Sequence, residues 1–244
     1  MKALLLAAGL GERLKPVTLT TPKCLVEIGG QALLDHWLRS LNAAERFEQI
    51  FINTHYLVDK VCEFIRRSPH SERVHLIYEP RLLGTAGTLR NLQGILQEDD
   101  FLVAHADNLS VIDWPRFLDA HHNRPKHSIG TMMTFYTDAP KSSGIVELDH
   151  DKTLIQMHEK TSSPRGNLAN AAVYLFSPSV FGVLRACSPT GPLDISRDLI
   201  PRLHGRITTF LNDIYHRDIG TPDSLTKARS DFTRLFNVAK GSTS

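Results

Sequence analysis

The sequence predicts an α/β fold, with a mixed, mainly parallel sheet flanked by helices and a smaller antiparallel portion toward the C-terminal end. Three observations carry that expectation. Residues 2–8 are apolar after Lys2, as a parallel strand covered on both faces requires. Over residues 1–125, short apolar runs alternate with segments of helical spacing, the pattern of a doubly wound, Rossmann-like sheet. Beyond residue 126, strands follow one another with few long helices between them.

Taken in order, the strand at 2–8 is followed by a polar loop from Gly9 to about Pro22. Residues 31–44 carry Leu33, Leu34, Trp37, Leu38 and Leu41 at helical spacing, which makes Trp37 a packing residue; Trp114 is read the same way. Strands are expected at 49–53, 74–78 and 101–106, and helices at 58–66 and 86–96, the latter capped by Thr85. Asp113 caps the next helix, with Pro115 in its first turn. In the second half, 128–136, 144–148, 154–159 and 171–176 read as strands, with a hairpin turn at 149–152. Helices at 194–203 and 222–236 close the sheet, and the tail 240–244 is expected to be disordered.

The 244 residues suffice for a sizeable core and are read as one domain, with no linker, repeat or low-complexity segment. A formal charge of +2 gives no general electrostatic reason to expect nucleic acid or an anionic membrane as partner. No stretch approaches the roughly 20 apolar residues of a membrane span. The opening apolar run ends in Gly-Leu-Gly-Glu-Arg, not in a cleavage site, so it is read as a strand and not a signal peptide. Cys24, Cys62 and Cys187 form no C-x-x-C pair, which argues against a disulfide framework and a thiolate zinc site. A cytoplasmic location is expected; monomer and homo-oligomer both stay open. His121, His122 and His127 are read as residues near a helix end, where the dipole suits them, and not as metal ligands.

The segment Leu6-Ala7-Ala8-Gly9-Leu10-Gly11-Glu12-Arg13-Leu14-Lys15-Pro16 carries the most chemistry. Two glycines after a buried strand let the backbone come close to a ligand and aim N–H groups at it, while Arg13 and Lys15 add positive charge. That combination suits a polyphosphate. A dinucleotide loop needs a third glycine where Leu14 stands, and Pro16 interrupts the helix it should open. The G-K-[ST] of a P-loop is absent. Instead the loop leads to a second cation-bearing element, Thr21-Pro22-Lys23-Cys24-Leu25.

These residues closely resemble the sugar-nucleotidyltransferase family, whose members open with a strand, L-A-A-G-x-G-x-R-L-x-P, and then P-K-x-L. Residues 6–25 match nearly one for one, and weaker similarity runs to about 228. The resemblance implies the family's mixed sheet, with a nucleotide-binding half over about 1–125 and an antiparallel sugar-binding half over about 126–238. It implies that Leu6, Ala8, Gly9, Gly11, Arg13 and Lys23 bind a nucleoside triphosphate. Gly84, Thr85 and Gly87 in Leu83-Gly84-Thr85-Ala86-Gly87 would hold the base, in a form most like members that use GTP.

Asp107 ends an apolar strand, at the sheet edge where ligands bind in open α/β folds. One or two carboxylates plus phosphate oxygens suit magnesium. Asp218, before Ile219-Gly220-Thr221-Pro222, resembles the family's second metal ligand. Gly144, Glu159, Lys160 and Asn170 resemble its sugar-side residues, and Asn108 is grouped with them at the sugar phosphate. The chain departs from the family pattern at Ala106 and Ala172, where Gly is common, at Thr161, where Pro is common, and at His216-Arg217.

A sugar 1-phosphate is already largely dianionic at neutral pH, since a phosphomonoester's second pKa is about 6. It needs no general base; the difficulty is bringing two anions together. A magnesium ion on Asp107 and Asp218, Arg13 on the leaving phosphates, Lys23 near the α-phosphate and Lys160 on the incoming phosphate meet it, with Arg13, Lys23 and Asp107 as the catalytic set. The expected partners are therefore a nucleoside triphosphate and a sugar 1-phosphate: GTP with mannose or heptose 1-phosphate first, then UTP or CTP with another sugar phosphate or phosphocholine. Rival readings are a dinucleotide-dependent oxidoreductase, a non-catalytic nucleotide-sugar sensor, and a glycosyltransferase, whose Asp-x-Asp motif is not matched by Asp107-Asn108-Leu109.

Overall fold

The computed structural model describes residues 1–187 and 191–238. The expected disordered tail falls outside the described residues. Along the chain, β1 (Lys2–Leu6) leads through three 3-10 turns to a hairpin of β2 (Glu27–Ile28) and β3 (Gln31–Ala32). Next come α1 (Leu33–Ala43), β4 (Gln49–Thr54), α2 (Val58–Arg67), β5 (Val74–Tyr78), α3 (Thr85–Asn91), α4 (Gln93–Leu96) and β6 (Phe101–His105). Short β7 (Asn108–Val111) precedes α5 (Trp114–His122). Then β8 (Gly130–Tyr136), β9 (Gly144–Leu148), β10 (Leu154–Glu159) and β11 (Leu168–Phe176) run in succession, and α6 (Val180–Arg185), β12 (Ile207–Leu211), β13 (Tyr215–Asp218) and α7 (Pro222–Val238) come last.

β1 sits between β4 and β6, parallel to both, and β5 extends the parallel block beyond β4. Its side chains alternate between two cores: Leu4 and Leu6 join one, Ala3 and Leu5 the other. Each fully buried leucine contributes on the order of 2 kcal/mol. The sheet turns antiparallel where β11 meets β6, and β8 pairs antiparallel with the opposite edge of β11. β12 then runs parallel to β8, while the β9–β10 hairpin joins β11 at Ala169. β11 thus changes neighbour midway. The change falls at Ala172, whose φ is +53°, and Asn170 steadies it by accepting a hydrogen bond from the Ala172 N–H at 2.9 Å. A glycine would adopt that left-handed backbone with less strain than the alanine present.

Some boundaries differ from the expected ones. The helix expected over 31–44 starts at Leu33, because Gln31 and Ala32 pair with β2. That over 86–96 breaks at Leu92 into α3 and α4. Thr85 does not cap α3. Its hydroxyl donates to Asp194 and accepts from the Ile195 N–H, and Gly84 occupies the cap position. Residues 195–199 form a π turn and 200–203 a 3-10 turn instead of one α-helix; Pro201 lacks the N–H a continuous helix needs there. Asp113 does cap α5, accepting from the Arg116 N–H at 3.1 Å. Trp37 and Trp114 are buried, as expected.

A third, small core joins the termini of the site. Leu14, Val26, Ile28, Leu33, Leu109, Ile219, Leu225 and Ala228 pack together, with Phe232 of α7 against them. Gly29, at φ +63°, lies flat beneath the Phe232 ring, so a Cβ there would fall inside it. α7 is thereby clamped onto the β2–β3 hairpin.

At the far end of α5, His121 is buried between Asp100 and Thr131, 3.0 Å from each. The partners assign the tautomer: Nε2–H donates to the carboxylate and Nδ1 accepts from the hydroxyl. Burial holds the imidazole below its ordinary pKa, with Arg124 and His122 acting the same way and Asp100 opposing. The folded state therefore resists protonation that the unfolded chain accepts. This contribution is present above the ordinary histidine value, about 6.5, and is lost as pH falls below it. Unfolding free energy measured in urea is expected to drop from about pH 7 to pH 5, and to drop less steeply in His121→Gln. An unchanged slope in that variant contradicts the assignment.

Candidate active site

Two strand ends converge to build the site. Asp107 follows β6, at the C-terminal edge of the parallel block. Asp218 ends β13, which pairs antiparallel with β7 so that Asp218 lies opposite Asn108, the residue after Asp107. The Ile219 N–H donates to the Asp107 carbonyl at 3.3 Å, fixing the two segments side by side. Residues 215–218 are too short and polar to read as a strand from sequence, which is why β7 and β13 are absent from the sequence expectation.

Lys23 completes the triad. It opens a 3-10 turn after Pro22 and is only 8% exposed. Its Nζ donates to Asp107 Oδ2 at 2.5 Å and lies 3.6 Å from Asp218 Oδ1, so one ammonium spans both carboxylates. Burial pulls the lysine down, yet Asp107 and Asp218 together hold it above its ordinary value. For Asp107, burial pushes upward, but Lys23 and then His105 bring the carboxyl below the usual range. Lys23 and Asp107 are therefore both charged at neutral pH. Cys24, next in sequence, is fully buried, and its thiol is pushed up to about 12, so no thiolate competes here.

Arg13 and the glycine loop face this triad. Gly9, Gly11, Arg13, Lys23, Asp107 and Gly220 line one cavity of about 430 Å³. A Cβ placed on Gly220 would lie 2.9 Å from both Arg13 Nη2 and Asp218 Oδ2, so guanidinium and carboxylate converge on the space a side chain there would fill. Leu14 and Ile219, the neighbours of Arg13 and Asp218, are both anchored in the third core. A second cavity, about 330 Å³, shares Arg13 and Gly220 and continues past Asp218 to Arg217, Asp138 and Lys227. Arg217 bridges Asp138 and Asp231 there. A larger groove of about 720 Å³ lies between α1, α2 and the hairpin, but its charges are paired locally, Arg39 with Asp35 and Arg67 with Glu63. It presents no convergent polar set, so the smaller, charged cavity is the candidate site.

The residues fit a divalent cation. Asp107 Oδ1 is buried and has no hydrogen-bond partner among the described residues, leaving an open acceptor beside Asp218. Among the described residues, no group of three or more His, Cys, Asp or Glu gathers to hold an ion. An ion here takes its remaining ligands from phosphate and water, as magnesium commonly does.

Other predicted residues are placed differently. Leu6 ends β1, and the next N–H, that of Ala7, donates to Asn53 Oδ1 at 2.7 Å. Gly84, Thr85 and Gly87 lie against residues 193–195: the Ala86 and Gly87 N–H groups donate to the Leu193 carbonyl at 2.9 and 3.2 Å. Gly84, at φ +76°, leaves no room for a Cβ against that same carbonyl. The Ala86 and Gly87 N–H groups and the Thr85 hydroxyl thus donate within the chain itself. Asn108 is buried, its amide donating to the Ala171 carbonyl at 3.1 Å, and Asn170 donates to Tyr174 at 2.7 Å. Gly144 faces Glu159 across the β9–β10 ladder, close enough that a Cβ would meet Glu159 Oε2 at 2.8 Å, and Lys160 lies 3.4 Å from Glu159 Oε1.

Sequence reasoning missed a buried polar network that ties the glycine loop to residues 83–88. Asn53 donates to Glu79 at 3.0 Å, Thr88 donates to the same oxygen at 2.5 Å, and the Leu83 N–H donates to the other at 3.3 Å. The available signal was polar residues at the ends of β4 and β5, where the ligand crevice of an α/β sheet opens.

The glycine loop, two carboxylates and a bridging lysine thus meet at the edge of a mixed sheet. The chain belongs to the nucleotidyl transferase family, whose model matches residues 2–234. It is 29% identical over 238 residues to a mannose-1-phosphate guanylyltransferase of Mycobacterium tuberculosis, covering 95% of this chain and 64% of that one. A mannose-1-phosphate guanyltransferase of Aspergillus fumigatus is 31% identical over 230 residues, covering 91% and 61%. The chain thus spans less than two thirds of these curated relatives. Among solved structures, HddC of Yersinia pseudotuberculosis, crystallised with GMP-PN, superposes with a TM-score of 0.78 at 25% identity over 95% of this chain and 99% of that one. A putative glucose-1-phosphate thymidylyltransferase of Bacillus anthracis shares the fold, with a TM-score of 0.84 at 24% identity over 94% of each chain. No helix among the described residues is long and apolar enough to cross a membrane.

Gly220→Ala tests the geometry directly. The three atoms nearest the new methyl belong to the ends of the Arg13 and Asp218 side chains, so those side chains give way first. Calorimetry is expected to show nucleoside triphosphate binding weakened about tenfold or more, roughly 1.4 kcal/mol, with an unaltered melting temperature. Unchanged affinity contradicts the placement of Arg13 and Asp218.

Proposed function

We infer that the protein transfers a nucleotidyl group from a nucleoside triphosphate to a sugar 1-phosphate, releasing pyrophosphate. The observation that carries this reading is the convergence of Lys23, Asp107 and Asp218 beneath the loop that holds Arg13. GTP is the favoured nucleotide, and a mannose- or heptose-type 1-phosphate the favoured acceptor. The names of relatives at 29% and 31% identity support that preference.

A phosphate oxygen of the sugar 1-phosphate attacks the α-phosphorus, a new P–O bond forms, and the α–β bridge breaks to expel pyrophosphate. Asp107 and Asp218 would hold a magnesium ion, which when bound supplies charge neutralisation to the triphosphate. Arg13 pairs with the leaving β- and γ-oxygens, and Lys23 with the α-phosphate. Lys160 steers the incoming phosphate past Gly144, and Glu159 accepts hydrogen bonds from sugar hydroxyls. No residue need remove a proton, since the nucleophile arrives ionised. Catalysis is positioning and charge stabilisation.

A pyrophosphate-release panel crossing four nucleoside triphosphates with several sugar 1-phosphates and phosphocholine, with and without magnesium, tests the reading. Turnover is expected to be highest with GTP and to require the metal. Arg13→Ala and Asp107→Ala are each expected to lower turnover by about a hundredfold or more without altering the circular dichroism spectrum. Near-normal release by either variant removes that residue from its role, and a ligand-bound protein inactive on every pair points to a sensor.

A further inference from the structure

We propose that Lys23 is a tethered cation that holds the Asp107–Asp218 pair closed to free divalent metal, and that it yields this position only when a triphosphate arrives to receive its ammonium. The inference rests on the metal-binding part of the function above, but its test involves no turnover, so the two readings fail separately.

Three features support it. The Lys23 ammonium lies between the two carboxylates, 2.5 Å from one and 3.6 Å from the other, where a shared metal ion has to gain its charge stabilisation. The lysine is held there: its backbone is locked in a 3-10 turn between Pro22 and buried Cys24 and Val26, and the side chain is only 10% exposed. The alternative partner lies close at hand, because Lys23 lines the same cavity as Gly9, Gly11 and Arg13, and its Cβ lies 3.3 Å from where a Gly11 Cβ would stand. A phosphate seated on that loop is therefore within reach of the ammonium without a backbone change.

Electrostatics makes the two cations antagonists whichever carboxylate oxygens the metal takes. A monovalent and a divalent charge about 4 Å apart repel enough, even at water's dielectric constant, to change an affinity by more than tenfold. Once a triphosphate supplies its own negative charge to the ammonium, the repulsion is offset, and metal and nucleotide enter together. Lys23 then acts as a coupling residue between metal and nucleotide sites as well as a contact for the α-phosphate.

The test is Mn²⁺ binding, followed by loss of the free-ion electron paramagnetic resonance signal. Without nucleotide, Lys23→Met is expected to bind Mn²⁺ about tenfold or more tightly than the wild type, and Lys23→Arg, which keeps the charge, to bind it as weakly as the wild type does. With a non-hydrolysable triphosphate present the order reverses, and Lys23→Met holds metal and nucleotide less tightly. A folded Lys23→Met protein that binds free Mn²⁺ no better than the wild type overturns the proposal. If Lys23→Met does not fold, the ¹⁵N resonance of the wild-type Lys23 ammonium decides. It is expected to stay in place with submillimolar Mg²⁺ alone and to shift with Mg²⁺ and the triphosphate analogue; displacement by Mg²⁺ alone overturns the proposal.

Discussion

The structure depends on a single electrostatic constraint: two aspartates from distant parts of the chain, 107 and 218, share one buried ammonium. Two like charges brought together at a sheet edge repel unless a cation lies between them. Lys23 supplies it, and the loop that follows β1 supplies Lys23. Glycine loop, lysine turn and both aspartates are thereby tied into one unit, and displacing any member exposes the others to uncompensated charge.

The rest of the fold serves to hold that unit. The parallel block β5–β4–β1–β6 sets the glycine loop and Asp107 on neighbouring strand ends. The two-stranded β7–β13 ladder brings Asp218 beside them. The third core then locks the neighbours of Arg13 and Asp218, with α7 clamped over the hairpin through Phe232 and Gly29. The polar bridge from Asn53 through Glu79 to Thr88 ties the loop after β1 to the segment that opens α3. A buried network of this kind, with every member satisfied, rigidifies the crevice floor.

What the sequence made legible follows from physics acting over short range. Buried parallel strands such as β1 and β4, and the caps and turns at Asp113 and 149–152, were readable because apolar periodicity and turn chemistry are local signals. That Gly9, Gly11 and Arg13 line one cavity was readable because two glycines directly after a buried strand make a tight loop at its C-terminal edge. Strands β7 and β13 were not, because four residues each are too few for alternation to mark a strand, and they pair only with each other. Thr85 was misread as a cap because its partners, Asp194 and Ile195, are more than a hundred residues away. The packing of residues 84–87 onto Leu193, and the inward hydrogen bonds of Asn108 and Asn170, are tertiary facts of the same kind.

The central claim is that Asp107 and Asp218 act on one shared cation, and a double-mutant cycle measures this most directly. Residues that hold the same ion fail together, so their losses do not add. With pyrophosphate release measured for Asp107→Asn, Asp218→Asn and the double variant, kcat/KM of the double variant is expected to fall within about threefold of the worse single one. If the two losses multiply instead, the aspartates act independently and the shared-cation account is wrong.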